Sequence, residues 1–208
     1  MKVLKEVEPI EVKRAFVIAD HVAHLHGRKK RGNNKKFLKA LSEAELQKKI
    51  VETKKEILRV KESDLDRLVC PEWPKRLNAY NMSRWFIADI RPKDVGVWAR
   101  AGGLPLRWTN RSLAETAKKM ERGLKMDSKS IKSRAKHAIP NILKMKSQLD
   151  QEERYLYPIV FRSDTGTMGR KRLKRKMVGD IDDGCMRSIA LAMSGKRIIR
   201  VYFGSPLK

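Results

Sequence analysis

The sequence predicts an α+β fold: a helical N-terminal arm followed by a unit in which short strands and helices build a small mixed sheet flanked by helices. Three observations predict it. Two capping boxes, Ser42 with Glu45 and Ser112 with Glu115, each stand just before apolar residues at helical spacing. Short runs rich in β-branched and aromatic residues, among them 84–92, 157–162 and 197–203, are bounded by proline or glycine. A hydrophobic content of 41% over 208 residues is enough for a buried core.

Taken in order, Glu8 to Val12 has the alternation of a short strand and leads into the apolar stretch Ala15 to Ala19. The box at Ser42 opens a helix with Leu46, Ile50, Ile57 and Leu58 on its stripe. Ser63 with Asp66 opens a shorter one that Cys70-Pro71 ends. Residues 37–70 therefore form an α-helical arm. Arg84 to Arg91 is a strand ending at Pro92, and Gly102-Gly103-Leu104-Pro105 a turn. A helix runs from Leu113 to about Arg122, and another from Ser130 to Gln148 is interrupted at Pro140. Tyr157 to Arg162 is a strand, Ser163 to Gly166 a turn, and Met177 to Ile181 the return strand. Asp182-Asp183-Gly184 is a tight turn, Cys185 to Ser194 a helix stopped by Gly195, and Arg197 to Phe203 the last strand.

Charge is the dominant compositional fact. Lys and Arg number 49 against 24 Asp and Glu, a net charge of +25. Such an excess repels itself in a folded chain, and a polyanion relieves it by neutralisation and counterion release. Nucleic acid is the expected partner, DNA favoured over RNA, with a homodimer as an open alternative. Three stretches carry the surplus. Arg28, Lys29, Lys30, Arg31, Lys35 and Lys36 surround a Gly-Asn-Asn centre, suited to a phosphate backbone or, in a eukaryotic host, to nuclear localisation. Residues 116–136 hold Lys118, Lys119, Arg122, Lys125, Lys129, Lys132, Arg134 and Lys136 against Glu121 and Asp127. Arg170, Lys171, Arg172, Lys174, Arg175 and Lys176 interrupt the hairpin before Met177.

No apolar run has transmembrane length, and the N-terminus lacks a signal-peptide apolar region, so no membrane partner is expected. Cys70 and Cys185 are too few for a disulfide framework or a cysteine zinc site, which suits a reducing compartment. His21, His24 and His26 cluster without the ligands that complete a tetrahedral set, so no metal is assigned to them. The expected location is cytoplasmic and nucleoid-associated, or nuclear in a eukaryotic host. Trp85, Trp98 and Trp108 suit either core packing or stacking on single-stranded bases.

The strand–turn–helix at 177–194 is a generic anion site. A helix N-terminus presents unpaired N–H groups and the positive end of its dipole. Gly184 lets the backbone approach a phosphate, and Arg187 in the first turn can fork onto its oxygens. Asp182 and Asp183 are candidates for a metal site or a general base, although neighbours on a strand point to opposite faces. Turn capping is the plainer role for them.

Ile181-Asp182-Asp183-Gly184-Cys185-Met186-Arg187-Ser188-Ile189-Ala190, with Gly195-Lys196 and Ile198 to Val201 after it, resembles the signature end of the ParB/sulfiredoxin-like superfamily. Pro158-Ile159-Val160-Phe161 is similar to its P-I-V strand, and Phe86 to Pro92 to its opening strand. The resemblance spans residues 84–208, with a helical insertion around 124–150, and leaves 1–83 as a basic, mainly helical extension. It implies that Gly184 and Arg187 hold a phosphate, with a nucleoside triphosphate or Mg²⁺ as candidate cofactors. The superfamily includes DNA-partition proteins that bind cytidine triphosphate, a DNA-nicking branch, free-serine kinases and sulfiredoxins. The partition proteins' G-E-R-R is changed here, since Cys185 and Met186 replace the Glu and first Arg, which tells against nucleotide hydrolysis. The serine kinases' D-G-H-H-R is without its two histidines. Sulfiredoxins read G-G-C-H-R, which aligns Cys185 with a reactive thiol but puts Met186 in place of the histidine. A thiol at a helix start beside an arginine has a lowered pKa, whereas a small buried cysteine is inert. The expected function is DNA binding through basic loops and the anion site, with a nuclease, nucleotide-dependent or Cys185-centred enzyme as the alternative.

Overall fold

A mixed sheet of seven strands, in the order β1-β2-β7-β5-β6-β3-β4, runs through the middle of the computed structural model, which describes residues 1–25, 42–69, 74–126, 133–148, 153–163, 165 and 177–207. The strands are β1 (Lys2–Val7), β2 (Ser83–Ile90), β3 (Val95–Val97), β4 (Arg111–Ser112), β5 (Ile159–Arg162), β6 (Gly179–Asp183) and β7 (Ile199–Pro206). The helices are α1 (Pro9–Leu25), α2 (Glu43–Arg59), α3 (Glu62–Leu68), α4 (Pro74–Asn81), α5 (Leu113–Met126), α6 (Ser133–Gln148) and α7 (Cys185–Met193). The fold is mixed α and β with a helical N-terminal region, as the sequence predicts. Pairs β5–β7 and β3–β6 are parallel, and the remaining pairs antiparallel.

Strand alternation sends side chains to two cores. Trp85 and Ile87 of β2, Ile159 and Phe161 of β5, and Tyr202 of β7 meet α1 to α4 on one face. Ala88 and Ile90, Val160, Ile181, Val201 and Phe203 meet α5, α6 and α7 on the other. Residues 1–81 thus supply an edge strand, β1 against β2, and the helices of one face.

Several boundaries differ from the sequence reading for identifiable reasons. The strand expected at Glu8–Val12 lies instead at Lys2–Val7, and Pro9 opens α1. Proline is preset for a helix start, where its missing N–H is not needed. Val12, Ala15, Phe16, Ala19 and Val22 then recur at helical spacing and are buried. Edge strand β1 is solvent-exposed until Val7, so no apolar alternation marks it. The Ser42 box forms as expected: its amide donates to Glu45 Oε2 at 2.8 Å and Glu45 N to Ser42 Oγ at 3.3 Å. Leu46, Ile50 and Ile57 are buried, but Leu58 is 55% exposed, because it sits about 100° from Ile57 around the helix. Helix α3 starts at Glu62, one residue before Ser63, and its N-cap Lys61 makes no side-chain cap.

Three contacts lock α1 and α5 in place. Lys13, 1% exposed, puts its ammonium 2.6 Å from Asp66 and 2.9 Å from Glu62, tying α1 to α3. Burial lowers its pKa, but hydrogen bonds to Asp66 and Glu62 outweigh burial and hold it above the usual 10.5. A folded-state pKa raised above the unfolded one gives stability that is present below about pH 10.5 and lost as pH rises through the folded value. Urea unfolding between about pH 9 and 12 is therefore expected to lose more stability in the wild type than in Lys13→Met. Equal losses would remove Lys13 as a source of that dependence. Tyr202 Oη donates to Glu11 at 3.0 Å, tying β7 to α1, and burial together with the Glu11 charge raises its pKa above that of an ordinary phenol.

Trp108, 3% exposed, packs its indole ring against α5 at Gly123. A Cβ there would overlap the indole ring, so alanine forces Trp108 or α5 to move. Gly123→Ala is expected to cost about 1–3 kcal/mol by overpacking despite alanine's better helix propensity. A thermal or urea melt that is unchanged or improved would mean that the ring yields freely.

Candidate nucleic-acid interface and the strand–turn–helix

Helix α5 is built from its cap outward. Ser112 Oγ donates to Glu115 Oε2 at 2.8 Å, while Glu115 N donates back to Ser112 Oγ at 3.3 Å. Leu113, Thr116, Ala117 and Met120 are buried, leaving Lys118, Lys119, Arg122 and Lys125 exposed on the other side. These four positions fall within about 120° of arc and span about 10 Å of helix. None of the four pairs with a carboxylate of another described residue. Elsewhere the exposed cations Arg84, Arg91, Arg154 and Arg200 are matched to Glu6, Asp94, Glu11 and Asp89, whereas Lys2, Lys5, Lys48, Lys55, Lys93, Lys196 and Arg197 are exposed and, like the α5 row, form no ion pair with a described residue. The Trp108 contact brings the loop after β3 against α5, and the Arg107 guanidinium lies 5.9 Å over that ring. Exposed Arg107 thereby lies on the loop that packs against α5 at Gly123.

At the β6–α7 turn, Asp182 and Asp183 diverge as strand neighbours do. Asp182 points to the α1–α4 face and is 1% exposed. Its Oδ2 accepts from Arg76 Nε at 2.7 Å and from Tyr80 Oη at 3.0 Å, with Arg76 Nη2 at 2.6 Å. Arg76 also lies 4.7 Å over the Phe16 ring. This buried pair fastens α4 to the sheet. Asp183 turns the other way and accepts from Arg187 Nη2 at 2.9 Å. The carboxylates therefore do not converge on one point.

Gly184 is the N-cap of α7 at φ +79°, where a glycine is needed. No side chain caps the helix start. A Cβ on Gly184 would lie 2.8 Å from Arg187 Nη2 and 3.2 Å from Pro158 Cα, so the arginine occupies the space that the glycine leaves. Arg187 is 12% exposed, and its Nε is buried without a hydrogen-bond partner among the described residues. Cys185 and Met186 are half-buried and pack against the α5–α7 core. The turn thus joins an open helix start, an arginine and a thiol, with the arginine already committed to Asp183.

The structure unites Asp183, Gly184, Cys185 and Arg187 at one turn, sends Asp182 to the far face, and lines Lys118, Lys119, Arg122 and Lys125 along α5. Arg28, Lys29, Lys30, Arg31, Lys35, Lys36, Lys129, Arg170, Lys171, Arg172, Lys174, Arg175 and Lys176 lie outside the described residues. His21 donates through Nδ1 to the Val17 carbonyl at 2.9 Å, and His24 stands 3.6 Å from Asp20. Among the described residues no group of His, Cys, Asp and Glu is arranged to hold a metal, and no helix is long and apolar enough to cross a membrane. Sequence reasoning missed Arg76 and Tyr80, more than 100 residues from Asp182, and Arg107, whose signal is the adjacent Trp108. No family model, curated protein or solved structure matches the chain.

Proposed function

We propose that the chain binds the phosphate backbone of nucleic acid, DNA favoured, and that the exposed face of α5 is the principal contact. The observation that carries this is the row Lys118, Lys119, Arg122 and Lys125, four cations on one rigid face without a carboxylate partner among the described residues. Arg107, exposed on the loop that packs at Gly123 of the same helix, adds a further cation nearby in this reading. The net charge of +25 supplies the long-range attraction. The ParB-like turn adds a second anion site in this reading, with Gly184 and the first amides of α7 facing a phosphate and Arg187 switching to it from Asp183. Two aspartates held by separate arginines on opposite faces favour binding over hydrolysis. A nucleoid-associated protein, or a nuclear one in a eukaryotic host, fits this role.

The test is fluorescence anisotropy with a labelled DNA duplex at several salt concentrations. Binding is expected at about 50 mM salt, with log affinity falling linearly as log salt rises. Absence of binding at that concentration, or affinity indifferent to salt, would overturn the reading.

A further inference from the structure

Resting on that reading, we infer that the α5 face selects duplex over single-stranded nucleic acid. Single strands are held by aromatic side chains on which bases stack, in grooves whose charge tracks a flexible backbone. Among the described residues no aromatic side chain is exposed. Trp85 and Trp108, the sequence's candidate stacking residues, are 0% and 3% exposed and belong to opposite cores. Trp98, the third, is half-buried and packs against the α5–α7 core. Tyr80, Phe161 and Trp85 contact one another at ring-centroid distances of 4.9–5.4 Å, so these rings are spent on packing.

What α5 offers is a row of point charges fixed to a helix that is capped at its start and buried along its inner side. A rigid row suits a rigid partner. The duplex is stiff over far more than the row's length of about 10 Å, so docking orders little on either side. A single strand must be straightened against the row, and among the described residues α5 itself carries no aromatic side chain whose stacking would offset that loss. The duplex also releases more counterion per contact, about 0.9 against 0.7 per phosphate. For four contacts this alone favours the duplex about tenfold at about 50 mM salt.

The experiment compares the full chain on a labelled duplex of about 20–30 base pairs, on one of its strands, and on oligo(dT) of equal length. The expected result at about 50 mM salt is a Kd about tenfold lower for the duplex than for either single strand. Single-strand affinity equal to or above that of the duplex overturns the inference while leaving the nucleic-acid reading intact. Failure of all three probes to bind overturns the reading itself.

Discussion

Asp182→Ala is expected to remove about 3–5 kcal/mol of unfolding free energy, because it removes the buried carboxylate that pairs with the Arg76 guanidinium. The aspartate is 1% exposed and the arginine 13%. The same substitution strips Tyr80 Oη of the acceptor that it reaches at 3.0 Å. Both partners sit on α4, so the loss is felt where α4, α1 and the sheet meet, around Phe16, Tyr80 and Trp85. Tyr80→Phe removes one hydrogen bond and keeps the ion pair, so a cost nearer about 1 kcal/mol is expected. Urea denaturation of the two variants beside the wild type ranks them. A cost below about 1 kcal/mol for Asp182→Ala would mean that water reaches Arg76 readily. The ranking bears on function too, since lost activity in an Asp182 variant reports on folding before it reports on chemistry.

The second large effect is on binding. Replacing Lys118, Lys119, Arg122 and Lys125 together by glutamine is expected to weaken duplex binding from about 300-fold at about 200 mM salt to about 4,000-fold at about 100 mM, each cation accounting for one phosphate. Stability should stay within about 0.5 kcal/mol per site, since the side chains are exposed and glutamine is a good helix former. A matched control replaces Arg84, Arg91, Arg154 and Arg200, the cations already paired with carboxylates. That control loses the same number of charges, so a purely global effect of net charge would weaken both variants alike. The proposed contact requires the α5 variant to suffer much more.

Helices α2, α5 and α7 and strands β2, β5 and β7 were legible because their signals are local, whereas α1 and α4 were not read as helices and Asp182 and Asp183, read as a turn, belong to β6. The Ser42 and Ser112 boxes both formed, and burial of Leu113, Thr116, Ala117 and Met120 turns the four cations of α5 outward. Gly184 and Gly195, read as turn and stop, both have positive φ. The Asp182 clamp was illegible, because its partners come from an element about a hundred residues away and no periodicity connects them. Edge strand β1 escaped notice because neither of its faces is buried before Val7. The tryptophans were ambiguous by type alone. Position decided them: Trp85 faces one core by strand alternation, and Trp108 is pinned by the bare backbone at Gly123.

The most direct measurement is the dependence of log affinity on log salt for the wild type and the quadruple α5 variant on one duplex. Contact through α5 predicts a slope shallower by about 3.6 in the variant, the share of four released counterion sites. Parallel lines, with the variant merely displaced or unchanged, would contradict it and move the interface away from this helix.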